Sequence, residues 1–152
     1  MSDNGYTDEL ERALARSDAD VMSRQIDAYI DYLQAGAGGW PEHHSDDFSE
    51  ITMSGYDDPE KALAYIAIAV SRTDDPQVLA YFGCGQLEDI LRDPSSDMLE
   101  RIVVEARKSA RFRWLLSNPF KVALSERAWE AIEKFRITGP HEEPSFETLP
   151  PR

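Results

Sequence analysis

The chain has 152 residues, 41% of them apolar and 30% charged, with a formal net charge of −13. That size fits one domain around one core, and the composition excludes a chain that is disordered throughout. No apolar run approaches the length of a spanning helix, Met1 to Tyr6 has no leader-like pattern, and the single cysteine, Cys84, excludes a disulfide framework or a multi-cysteine zinc site. The expected location is a bacterial-type cytoplasm.

A short helix over 7–15 would pair Leu10 with Leu14 at i, i+4. The first strong pattern covers 17–33, where Met22, Ile26, Tyr29, Ile30 and Leu33 recur on one apolar face. Asp20, Arg24, Asp27 and Asp31 fall on the opposite face, and Ser17 or Asp18 is placed to cap the start. Gly36, Gly38 and Gly39 stop the helix. The stretch 35–56 then reads as a long acidic loop, with Trp40-Pro41, His43, His44, Asp46 and Asp47 and no apolar period. Loops of that length are uncommon in compact domains, so this one is expected to be functional, mobile, or tied down by Trp40 and Phe48. Whether 47–53 holds a short strand or a helical turn stays open.

Asp57-Asp58-Pro59-Glu60 is a clear start signal, since proline costs nothing at the first helical position. The helix over 59–72 is apolar nearly all round and is expected at the centre of the core. Asp75-Pro76 opens the next helix, which should kink or break at Gly83-Cys84-Gly85 and resume through Gln86 to Leu91. Asp93-Pro94 marks a third break, after which Ser95, Ser96 or Asp97 caps a helix to about residue 110. Its apolar face is Leu99, Ile102, Val103, Ala106 and Ala110. Further helices are expected over 112–116 and from Ser125 to about Ile137.

The fold class is therefore all-α: a compact bundle of antiparallel helix hairpins, HEAT-like in a loose sense, without a fixed-period repeat. Residues 1–137 form the expected domain, and 138–152, rich in proline, a flexible tail.

Residues 79–91 read L-A-Y-F-G-C-G-Q-L-E-D-I-L. This resembles a bacterial family of unknown function (domain of unknown function 6869) with a signature like G-P-L-E-D-L-L. Gly85, Leu87, Glu88, Asp89 and Leu91 match it, while Gln86 replaces the usual proline and Ile90 a leucine. The resemblance covers roughly 59–132. It implies a helical fold and brings no established activity.

Charge layout is the main functional signal. Residues 1–58 hold 14 acids against three bases, 59–137 hold 12 of each, and 138–152 hold three acids and one base. Such a field repels nucleic acid and anionic membranes and favours a basic protein partner. The plainer reading is a face that keeps the protein from associating.

Other candidates have plainer readings too. His43, His44, Asp46 and Asp47 have metal-ligand chemistry and would serve a small metal-dependent hydrolase, yet adjacent histidines rarely converge on one ion. Glu88 and Asp89 read as a carboxylate pair, as acids stabilising a helix start, or as partners of an arginine within 107–113. Cys84 reads as a buried structural thiol. Arg107, Lys108, Arg111 and Arg113, beside Phe112 and Trp114, superficially suggest nucleic-acid binding but fit a helix C-terminus paired with the acidic third. Exposed aromatics such as Trp40 and Tyr56 leave open a homo-oligomer.

The expected function is a non-enzymatic acidic interaction protein, in one version an immunity or antitoxin protein blocking a basic toxin such as a nuclease. Its binding face would use Asp20, Asp27, Asp31, Trp40, Asp46 and Asp47, without a cofactor.

Overall fold

Short polar side chains set most of the helix boundaries. A computed structural model describes residues 7–35 and 45–152, which form helices and turns with no strand among them. In order these are α1 (Asp8–Leu14), α2 (Ala19–Gln34), α3 (Ser45–Asp57), α4 (Pro59–Arg72), α5 (Pro76–Phe82), α6 (Glu88–Leu91), α7 (Ser96–Lys108), α8 (Ala110–Leu116) and α9 (Glu126–Ile132). A π-helical turn, Gly83–Leu87, joins α5 to α6. Single 3-10 turns occupy Lys121–Ala123, Glu133–Phe135 and Phe146–Thr148. The all-α expectation holds. The glycines expected to stop α2, Gly36, Gly38 and Gly39, lie outside the described residues.

Thr7 Oγ1 accepts from Leu10 N at 3.2 Å, Asp58 from Lys61 N at 3.2 Å, Asp75 from Gln77 N at 2.9 Å and Ser95 from Met98 N at 3.0 Å. Ser109 and Ser125 cap α8 and α9 in the same way. Each satisfies an amide that the helix leaves free. Asp18 is the exception. It stands at the N-cap of α2, but its carboxylate is held by Arg16 Nε at 2.8 Å and makes no cap.

α4 is the hub. Ala62 through Ala69 are all buried, and α1, α2, α3 and α5 pack on it. Four alanines in that run allow close approach. Tyr65 brings the one polar group its environment must answer, with its hydroxyl 2.7 Å from Gln25 Oε1 and 2.9 Å from Glu50 Oε1. Lys61 Nζ reaches the same Glu50 oxygen at 2.7 Å, so Lys61, then Gln25 and Tyr65, hold the Glu50 carboxyl below its usual range. This cluster ties α2, α3 and α4 together.

The expected loop over 35–56 is corrected for its second half, which is the helix α3. Phe48, Ile51 and Ser54 face inward at 1%, 0% and 2% exposure, and Gly55 is also buried. Only two of those residues are large and apolar, so the helical period is faint in the sequence. Phe48 meets Tyr29 edge-on at 5.2 Å between ring centroids, and Tyr29 meets Phe82 at 5.8 Å, which fastens α3 to α2 and α5.

Where a kink or a break was expected at Gly83-Cys84-Gly85, the chain does not break; the helix continues as a π turn. A Cβ on Gly83 would lie 2.8 Å from Asn118 Cβ and 2.9 Å from Leu115 O, so glycine lets this turn sit against the end of α8. Residues 138–152, expected as a flexible, extended tail, make specific bonds to the rest of the fold. Lys121 N donates to Pro140 O at 2.9 Å, Trp114 Nε1 to Thr148 Oγ1 at 3.0 Å, and Arg136 Nη2 to Gly139 O at 2.7 Å. Leu149 packs on the core, and Arg152 reaches Asp74 at 3.1 Å. Proline blocks helix here, but it does not stop an extended segment from docking.

α1 closes the other side of α4. Glu9, 4% exposed, pairs with Arg101 at 2.7 Å, and Lys108 pairs with Asp8 at 2.7 Å. Beside them Glu105, 5% exposed, leaves Oε1 without a partner next to a cavity of about 10 Å³. Burial pushes its carboxyl above the usual range, Glu9 and Asp8 add to this, and a hydrogen bond from Thr7 opposes it.

Ile66→Asp should abolish cooperative thermal unfolding, because Ile66 is wholly buried and an unpaired charge there costs several kcal/mol. Glu105 predicts a pH trend. Its folded pKa is raised, so its favourable contribution is complete below the ordinary carboxylate range and lost as pH rises through the folded value. Glu105→Gln should flatten that fall and stabilise the protein near neutrality by about 1 kcal/mol, read from denaturant titrations at several pH values.

Candidate functional site

Burial of Met22, Ile26, Tyr29 and Ile30 turns the other side of α2 to solvent, and Asp20, Arg24, Asp27 and Asp31 are all exposed there. Asp27 accepts from Arg72 at 3.3 Å, with both side chains roughly half exposed. Asp20 and Asp31 make no ion pair with a described residue.

The motif residues separate into inward and outward groups. Leu87 and Leu91 are fully buried, and Gly85 is half-buried with open space where a Cβ would point. Glu88 Oε2 accepts from Phe120 N at 3.3 Å and its other oxygen from Arg92 at 3.5 Å. Asp89 lies 3.6 Å from Arg92, with Tyr56 beside it in the cleft. Burial pushes the Asp89 carboxyl above its usual range, against the pull of Tyr56 and Arg92. The carboxylates do not stabilise a helix start as expected, because the π turn runs into α6 without a new N-terminus. Their arginine is Arg92, not one from 107–113.

Asp89 opens into a cleft of about 640 Å³ where the end of α3, the start of α4, the end of α6 and the start of α7 converge. Gly55, Ile90, Pro94 and Met98 make a buried, largely apolar floor, and Tyr56 stands beside it at 57% exposure. Asp58, Glu60, Asp89 and Asp93 line the cleft with one base, Arg92. Gly55 makes the junction possible, since a Cβ there would sit 2.5 Å from Asp89 Cβ and 2.9 Å from Gln86 O. The glycine's part was missed in the sequence; its signal is the spacing Phe48, Ile51, Gly55 along one helix face.

Trp40, His43 and His44 lie outside the described residues. Asp46 and Asp47 fall in the first turn of α3, and their side chains are outside the description as well. Among the described residues no group of three or more histidine, cysteine, aspartate or glutamate side chains is placed to hold a metal ion. Cys84 is exposed as a residue rather than buried as expected, but its sulfur is partly covered by the fold; Glu143 Oε1 sits 3.2 Å from it, and this partial desolvation together with that carboxylate pushes the thiol up to about 12. Such a thiol is a poor nucleophile. Of the basic run, Arg111 is 3% exposed and bonded to Asp74 and Thr73 O, Arg113 donates to Ala106 O, and Lys108 holds Asp8.

The fold and cleft define an all-helical domain centred on one buried helix. Residues 40–139 match the Family of unknown function (DUF6869), and the chain belongs to that family. The matched region contains every residue lining the cleft, whereas α1 and α2 lie before it. Comparisons with curated proteins and with solved structures return no match.

Gly55→Ala should destabilise by about 1–3 kcal/mol, because backbone and Cβ atoms stand where the methyl would go. Gly85→Ala meets nothing within 4 Å and should be neutral or stabilising. Paired melting curves of the two variants check both outcomes.

Proposed function

We propose that this protein is a non-enzymatic interaction module that presents the acidic face of α2 to a basic protein. One concrete version is an immunity or antitoxin protein that covers the phosphate-binding cleft of a cationic toxin such as a nuclease. The observation that carries this reading is the exposed row Asp20, Asp27 and Asp31, with Arg24 alone on the helix to offset it. Asp27 and Asp31 are i, i+4, a spacing at which like charges cost a few tenths of a kcal/mol in helix stability. A face that carries this cost has a use in encounter.

Ion pairs within the fold absorb only part of the acidic excess. Asp8, Glu9, Asp27 and Glu50 each find a base from beyond residue 60, while Asp20 and Asp31 point to water. The net charge of −13 opposes binding to phosphate backbones, and the cations of the 107–113 run are largely engaged internally, so a nucleic-acid partner is disfavoured. No helix of the described residues is long and apolar enough to cross a membrane.

At physiological ionic strength screening acts within about 8 Å, so the field steers a partner only near contact. Neutralising Asp20, Asp27 and Asp31 to asparagine should therefore slow association more than it speeds dissociation. A low-salt pull-down from the native host, followed by stopped-flow kinetics across a salt series, measures this. An on-rate indifferent to both salt and the triple substitution would make the face a solubility device and remove the main support for the reading.

A further inference from the structure

The cleft beside Tyr56 joins an apolar floor to an acidic lining. Its floor of Ile90, Met98, Pro94 and Gly55 is apolar and buried. Its lining holds four carboxylates and one guanidinium, a formal charge of −3 when all are ionised. Asp89 is the best placed of them: its side chain is only 13% exposed, and its contact with Arg92 is long at 3.6 Å. Tyr56 adds an exposed aromatic ring at the edge. Glu60 is engaged by Arg101, and Asp58 caps α4, so these two contribute charge more than free acceptors.

We infer that this cleft receives an arginine side chain of the basic partner. The inference rests on the interaction-protein reading above and adds a second contact point to it. An arginine has an aliphatic stem to lie on the floor, a planar fork for the Asp89 carboxylate, and a cation for the Tyr56 ring. The cleft already accommodates a guanidinium, since Arg92 lies along its wall at 46% side-chain exposure and pairs loosely with Glu88 and Asp89. An incoming arginine would shift Arg92 toward solvent and take the buried carboxylate. An anion is the competing occupant, because α4 and α7 both begin at the cleft. Asp58 and Ser95, however, each take one amide of these first turns, those of Lys61 and Met98, and Pro59 has no N–H to offer.

The full-length protein, labelled with nitrogen-15, is titrated with blocked Gly-Arg-Gly peptide, the same peptide carrying neutral citrulline, and inorganic phosphate. The arginine peptide should cause saturable amide shifts confined to Gly55, Tyr56, Ile90, Arg92 and Met98, while citrulline should not. Asp89→Asn should weaken that binding about tenfold. Should Asp89→Asn perturb the fold, Tyr56→Leu is the exposed alternative and should weaken it about threefold. Equal binding of citrulline, saturable binding of phosphate at these residues, or no arginine-dependent shift overturns the inference. Association kinetics separate the two proposals. A basic partner whose affinity ignores Asp89→Asn but whose on-rate depends on α2 leaves the acidic face standing and removes the cleft. Arginine-peptide binding in the cleft with no salt-steered protein partner does the reverse.

Discussion

Everything in this fold answers to the burial of α4. From Ala62 to Ala69 it has no residue turned to water, so neighbours must cover it all the way round. Alanines at 62, 64, 67 and 69 let those neighbours come close, which exchanges side-chain bulk for helix-to-helix contact. A helix so enclosed has one awkward group, the Tyr65 hydroxyl. Leaving it unbonded would cost a substantial part of a marginal stability. Gln25 of α2 and Glu50 of α3 reach it, and this requirement places both helices in register on α4.

The central helix and most boundaries were legible because they rest on local chemistry: Asp-Pro starts, serine caps, and an apolar run too continuous for a surface helix. What stayed hidden is nonlocal. α3 carries few large apolar residues because Ser54 and Gly55 lie where the π turn and α6 come close, and tight contact there replaces hydrophobic bulk. The docking of 138–152 depends on Arg136 and Trp114 donating to residues of that segment, bonds no local pattern announces. The acids of α2 were correctly turned to solvent by the opposing apolar face. Arg72 as a partner of Asp27 came from another helix and was not foreseeable. The motif around Glu88 and Asp89 was visible, but not its division between a loop anchor and a cleft wall.

The two proposed contact surfaces differ in their place in the chain. The cleft lies wholly within the family-matched region, on elements held by the core. The acidic face of α2 lies before that region. In the two proposals the cleft receives an anchoring side chain, while the acids of α2 draw the partner in near contact. Rim charge of that kind acts chiefly on the rate of encounter and a desolvated pair chiefly on the lifetime of the complex.

The π turn at Gly83–Leu87 acts as a phase shifter. An α-helix advances about 100° per residue, and a π turn holds one residue more than an α turn over nearly the same rise. α5 and α6 thus run as one rod whose two halves are wound out of step. Val78, Leu79 and Phe82 face the core on one phase, and Ile90 and Leu91 on another. Without that surplus residue, the hydrophobic phase of α5 would carry through unchanged, turning Asp89 onto the core face and Leu91 away from it. A single extra backbone unit is thus what reconciles a buried rod with a carboxylate set in the cleft wall.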